Sequence, residues 1–124
     1  MAENKEYLVQ EQEGGKILIS EEVVASIAAL AVREIEGVYG LSTTANFDIS
    51  NILGKKNLRK GIRVSFSETD EIEISCNLIV KIGSAVMDVA KKVQEAISSE
   101  VEAMTGVKPG RVNVNVCGVA QPKA

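Results

Sequence analysis

The sequence predicts an α+β fold, a two-layer sandwich in which two helices pack on one face of a mixed or antiparallel sheet, in the order β-α-β-β-β-α-β. Three observations carry this. Two segments repeat apolar residues at spacings of three and four, several shorter ones alternate apolar with polar residues, and glycine, proline or polar turns separate them. Helices and strands with one apolar face each satisfy one another when both helices lie on the same side of the sheet. The chain has 124 residues, 45% of them hydrophobic, and two prolines, which fits one domain with one core.

Residues 1–14 are polar and mostly lack periodicity, so they read as a flexible acidic tail ending at Gly14 and Gly15. The domain proper is expected over 15–120, with a short tail at 121–124. KILI, from Lys16, is a short strand candidate, and Ser20 stands as N-cap of a first helix with Glu21 and Glu22 against its positive end. Val23, Ile27, Leu30, Ala31 and Ile35 form the apolar stripe of that helix, and Gly37 can take a left-handed cap. Val38 to Leu41 is a short strand. Residues 42–60 are the least regular, a long surface loop in which Phe47, Ile49, Ile52 and Leu53 allow one or two helical turns. Ile62, Val64 and Phe66 then alternate up to the polar turn SETD, and the return strand places Ile72, Ile74, Cys76, Leu78, Val80 and Ile82 on one face. That alternation fits antiparallel pairing better than a parallel sheet covered on both sides. Ser84 can cap a second helix lined by Val86, Val89, Ala90, Val93, Ile97, Val101 and Met104. Gly106 and Pro109 stop it, and Val112, Val114 and Val116 alternate with Asn113 and Asn115 in a terminal strand that could form a sheet edge.

The chemistry is sparse. The chain has no histidine, which removes the commonest general acid/base and the commonest metal ligand. Its two cysteines lack CxxC spacing, so no metal and no cofactor is expected; Cys76 is in phase with the core and Cys117 with the asparagines on the other face. Asp70, Glu71 and Glu73 sit at a turn and strand edge, where solvent leaves carboxylates solubilising rather than catalytic. GVYG from Gly37 and GKKN from Gly54 do not make a phosphate loop or an RNA-clamping GXXG between helices. No apolar run approaches the roughly 20 residues of a membrane span, and the N-terminus lacks a secretory pattern, so a cytoplasmic protein is expected.

Charge is unevenly spread although the net charge is only −3. Lys55, Lys56, Arg59, Lys60 and Arg63 place five of the fourteen basic residues within nine positions, with no acid among them. These five are the candidate partner-binding residues, able to meet an acidic protein surface, an anionic membrane or nucleic acid. No tyrosine or tryptophan interleaves with them, which favours a protein or membrane surface over stacked bases. An RNA-binding module using the same loop is the second reading.

GKILISEEVVASIAALAVREIEGVYGL, LGKKNLRKGIRV and VAKKVQEAISSEVEAMTGVKPGRVNVNVCGV together resemble the alkaline shock protein family of Gram-positive bacteria, also called envelope stress response proteins. The resemblance spans residues 15–119. It implies a non-enzymatic cytoplasmic protein, in some members held near the membrane by a membrane-anchored partner, that supports cell-envelope homeostasis; self-association is expected instead from the edge strand Arg111 to Val119. The GKKN…KG loop is also similar to a branch linked to acetyl-CoA carboxylase and fatty-acid synthesis, which makes a metabolic partner the alternative. The family transfers no catalytic residues.

Overall fold

The computed structural model describes residues 7–42, 58–59 and 61–121. Its elements are β1 (Tyr7–Gln12), β2 (Gly15–Ser20), α1 (Glu21–Arg33), β3 (Val38–Leu41), β4 (Leu58–Arg59), β5 (Ile62–Phe66), β6 (Ile72–Lys81), α2 (Val86–Thr105) and β7 (Arg111–Ala120). The fold is α+β, and the expected order gains two strands, β1 and the two-residue β4.

β6 is the axis of the main sheet. Along one edge it pairs antiparallel with β5 through residues 72–76 and with β3 through residues 78–80; along the other it pairs parallel with β7. The sheet is therefore mixed. Alternation in β6 reflects a helix layer on one face only, and it does not dictate strand direction. Where β3 gives way to β5, the Asn77 carbonyl accepts from the Ser42 N–H and the Asn77 N–H donates to the Gly61 carbonyl, each at 3.0 Å. Gly61 is required there. Its φ is +83°, and a Cβ would stand 2.9 Å from both Leu41 Cβ and the Ser42 carbonyl oxygen.

Beneath the helices lie Ile62, Val64 and Phe66 of β5 with Ile72, Ile74, Cys76, Leu78 and Val80 of β6, nearly all without exposure. α2 covers them with a narrow strip, Val89, Val93, Ile97 and Val101. Each such aliphatic side chain contributes about 1.5–3 kcal/mol by burial. α1 buries a wider face that includes Ala25, Ala28, Ala29 and Ala31, small residues that let α2 and the sheet approach closely. The stripe expected for α1 is rotated: Ile27 and Ala31 are buried, whereas Val23 and Leu30 are 48% and 59% exposed. Apolar residues surround this helix between 23 and 32, so spacing alone leaves its rotation open, and packing selects the alanine side.

The caps differ in detail. Ser20 Oγ accepts the Val23 N–H at 3.3 Å, as its position implies. α2 instead begins after Ala85, with no side-chain cap, while the Ser84 N–H turns back to the Lys81 carbonyl at 3.1 Å. Gly106 is left-handed and donates to the Glu102 carbonyl at 2.8 Å. Gly37 also has positive φ, yet it leads into β3 after α1 has closed at Glu34.

The largest departure from the sequence reading is at the start. Residues 7–12, read as part of a tail, pair with β2 in a hairpin of register Tyr7↔Ser20 to Gln12↔Gly15. Leu8 enters the core with no exposure, the Val9 N–H donates to Asp70 Oδ1 at 3.1 Å, and Gln10 Nε2 reaches the Thr105 carbonyl at 3.5 Å.

Candidate interaction surface

The sheet face opposite the helices carries the polar residues. On it, Arg63 and Ser65 of β5, Glu73, Ser75 and Asn77 of β6, and Asn113 and Asn115 of β7 alternate with the core residues of their strands. Asn113 Nδ2 donates to Glu73 Oε2 at 3.0 Å and to Ser75 Oγ at 3.3 Å, and Asn115 Nδ2 donates to Asn77 Oδ1 at 3.3 Å. The VNVNV alternation thus builds a ladder of side-chain hydrogen bonds across the parallel pair. Asn77 is 1% exposed, and its Nδ2 has no acceptor among the described residues, a deficit of about 1–3 kcal/mol.

At the far end of the pair the register passes from Leu78↔Val116 to Ile79↔Gly118 and leaves Cys117 as an extra residue. The Cys117 thiol is exposed and lies 3.6 Å from the Leu78 carbonyl oxygen, to which it donates. Cys76 is buried as expected, and burial, followed by the charge of Cys117, pushes its thiol up to about 12.

The SETD turn has more structure than its polarity implies. Ser67 Oγ accepts from the Thr69 and Glu71 N–H groups at 3.2 and 3.0 Å, and the Asp70 N–H donates to the Ser67 carbonyl at 3.0 Å. This winds Asp70 to a φ of +64° and points its carboxylate at β1. Asp70 and Glu73 therefore act as acceptors for Val9 and Asn113, a role that depends on strands distant in sequence. They share an open cleft of about 700 Å³ with Ser65, Ser67, Lys108 and Arg111.

Of the five candidate partner-binding residues, Arg59 lies in β4 opposite Ile62, and Arg63 lies in β5 opposite both Leu58 and Ser75. Arg63 is half-buried on the polar face. Lys55, Lys56 and Lys60 fall outside the described residues, as do the helical turns expected around Phe47, Ile49, Ile52 and Leu53. The structure thus brings Arg59 and Arg63 onto neighbouring strands. Among the described residues, no helix is long and apolar enough to cross a membrane, and no three His, Cys, Asp or Glu residues group as metal ligands.

A model of the ASP23 family, described as having a cell envelope-related function, matches residues 9–121. The chain belongs to this family. The match takes in the hairpin strand β2, both helices and the whole of β7, and agrees with the resemblance read from the residues. YloU of Bacillus subtilis is 32% identical over 107 residues, covering 85% of this chain and 88% of that protein. YqhY of the same organism is 30% identical over 105 residues, covering 85% and 77%. Both relatives are described as uncharacterized. Among solved structures, a zinc form of a MamM CTD variant aligns over 82% of this chain and 86% of that one, at 15% identity and a TM-score of 0.46, too distant a likeness to bear on function.

Proposed function

We propose that this family member is a non-enzymatic interaction protein of the cytoplasm that supports cell-envelope homeostasis by docking, through Lys55, Lys56, Arg59, Lys60 and Arg63, to a membrane-anchored or metabolic protein partner, and that its copies self-associate along β7. The observation that carries the docking surface is the β4–β5 pairing. It fixes the backbone of Arg59 and Arg63 on adjacent strands beside the sheet's polar face, so these two of the five cations are held in place. A fixed cluster of cations attracts an acidic partner surface with less ordering entropy than a loose one.

Reversing all five charges to glutamate tests the reading. The wild-type chain, crosslinked in the cells that produce it, recovers its partner and concentrates near the membrane; the reversed chain is expected to lose both. Unchanged recovery and localisation sink the assignment. A salt-sensitive mobility shift with RNA, abolished by the same substitutions, would replace it with the RNA-binding reading.

A further inference from the structure

On the opposite side of the molecule from the basic segment's strands, the outer surface of the helix layer has an apolar groove that no described residue covers. It runs between α1 and α2, has a volume of about 220 Å³, and is lined by Ile27, Leu30, Ala31 and Glu34 of α1 with Glu100 and Met104 of α2. Ile27 and Ala31, each 7% exposed, form its floor, and Leu30 and Met104, 59% and 66% exposed, form its walls. Val23, one turn before Ile27 and 48% exposed, lies on the same face of α1 beyond the groove's lining. This is why two residues of the stripe read from the sequence of α1 lie outside the core. The stripe points partly at the groove.

We propose that this groove receives one amphipathic helix of a partner protein, with apolar residues on its inner face and lysine or arginine on its flanks. The shape argues for a helix. Val23, Ile27, Leu30 and Glu34 follow the i, i+4, i+7, i+11 line of one helix surface, about 16 Å long, and two adjoining helices present the kind of trough into which a third packs by its ridges. The charge argues for a basic one. The two ionisable residues that line the groove, Glu34 and Glu100, are both acidic and exposed, one on each helix. An anionic lipid surface or a nucleic acid would be repelled by that rim, whereas basic flanks on an inserted helix would meet a carboxylate on either side. Met104 suits a contact of this type because its flexible thioether adapts to the partner's side chains. The inference uses a different surface from the basic segment and stands or falls separately from it.

The test uses the full chain and three synthetic peptides of about four helical turns: one with leucines at i, i+4, i+7 and i+11 flanked by lysines, the same peptide flanked by glutamates, and a scrambled lysine peptide. Binding is read by fluorescence anisotropy and by shifts of the Leu30 and Met104 methyl resonances. The lysine-flanked peptide is expected to bind and to move those resonances. Leu30→Ser with Met104→Ser should weaken it roughly tenfold or more. Glu34→Lys with Glu100→Lys should transfer the preference to the glutamate-flanked peptide. All four substitutions are at exposed sites, and thermal melts identify folded variants; the charge pair leaves the apolar walls intact if the serine pair does not fold. The proposal is overturned if no peptide binds up to about 1 mM, if scrambled and patterned peptides bind alike, or if the variants leave binding unchanged. It is equally overturned if the serine pair abolishes self-association in light scattering, because a second copy would then occupy the groove.

Discussion

Cys76 has no exposure beneath the helix layer, and its thiol is displaced from the ordinary 9.0 to about 12, by burial first and by the charge of Cys117 second. The folded chain therefore holds this proton more tightly than the unfolded chain does. Stability from the neutral thiol is fully present below the unfolded value near 9.0 and is lost as pH rises from there through the folded value near 12. Completed, the loss is of order 4 kcal/mol, since each unit corresponds to about 1.4 kcal/mol. Cys76→Ala should be less stable than the wild type at neutral pH, by about 1 kcal/mol for the lost buried atom, and should lose stability less steeply between 9 and 12. Urea midpoints across that range are the measurement. Parallel curves for the two proteins would show that Cys76 does not couple folding to alkali.

At the scale of elements, Leu8 distinguishes a hairpin from a tail. Seated in the core with no exposure, it should cost about 2–5 kcal/mol when replaced by alanine, whereas the same change in an unpacked tail would cost nothing; the urea midpoint of Leu8→Ala decides between them. The reason β1 was illegible is local. YLVQEQ is too short for a period to show, with Leu8 the one deeply buried residue, and what holds it, Asp70 to Val9 and Gln10 to Thr105, comes from 61 and 95 residues away. β5 and the middles of β6 and α2 were legible for the opposite reason: their patterns repeat over enough residues that a single facing satisfies them, as Val89, Val93, Ile97 and Val101 show, whereas the ends of the expected stripes, Ile82, Val86 and Met104, lie exposed. α1 lies between these cases. Its composition announces a helix, but apolar residues on nearly every side leave the rotation to be set by what packs against Ala25, Ala28 and Ala29. Of the candidate site, the charge run was plain in the sequence. The pairing of Arg59 with Ile62 and of Arg63 with Ser75 depends on strands brought together by the fold and could not be read from spacing.

For the whole molecule, the surfaces divide by layer: the helix side carries the acid-rimmed groove, the sheet side the asparagine ladder, and β7 closes one edge of the sheet. Among the described residues β7 pairs only with β6. Ten residues long and uncharged after Arg111, it lacks the lysines and prolines that protect exposed edges. On β6 the Asn77 N–H and carbonyl bond to Gly61 and Ser42 along the β5–β3 edge, so the alternate residues Ile74, Cys76 and Leu78 turn their backbone groups to β7, where the parallel register places their bonds on Arg111, Asn113 and Asn115. Val112, Val114 and Val116, at even positions, present their backbone groups outward, where a second copy could add its own β7 about a two-fold axis. Val116→Pro removes one outward N–H and leaves the bonds to β6 in place, since proline is tolerated where a strand's N–H faces away from its sheet. Val116→Ala trims the same exposed side chain but keeps the N–H, and so separates the side chain from the edge. In light scattering over a concentration series, the wild type and Val116→Ala are expected to gain mass together while Val116→Pro stays monomeric. A wild type that is monomeric at every concentration, or a proline variant that associates as the wild type does, would show that the β7 edge does not join copies of this chain.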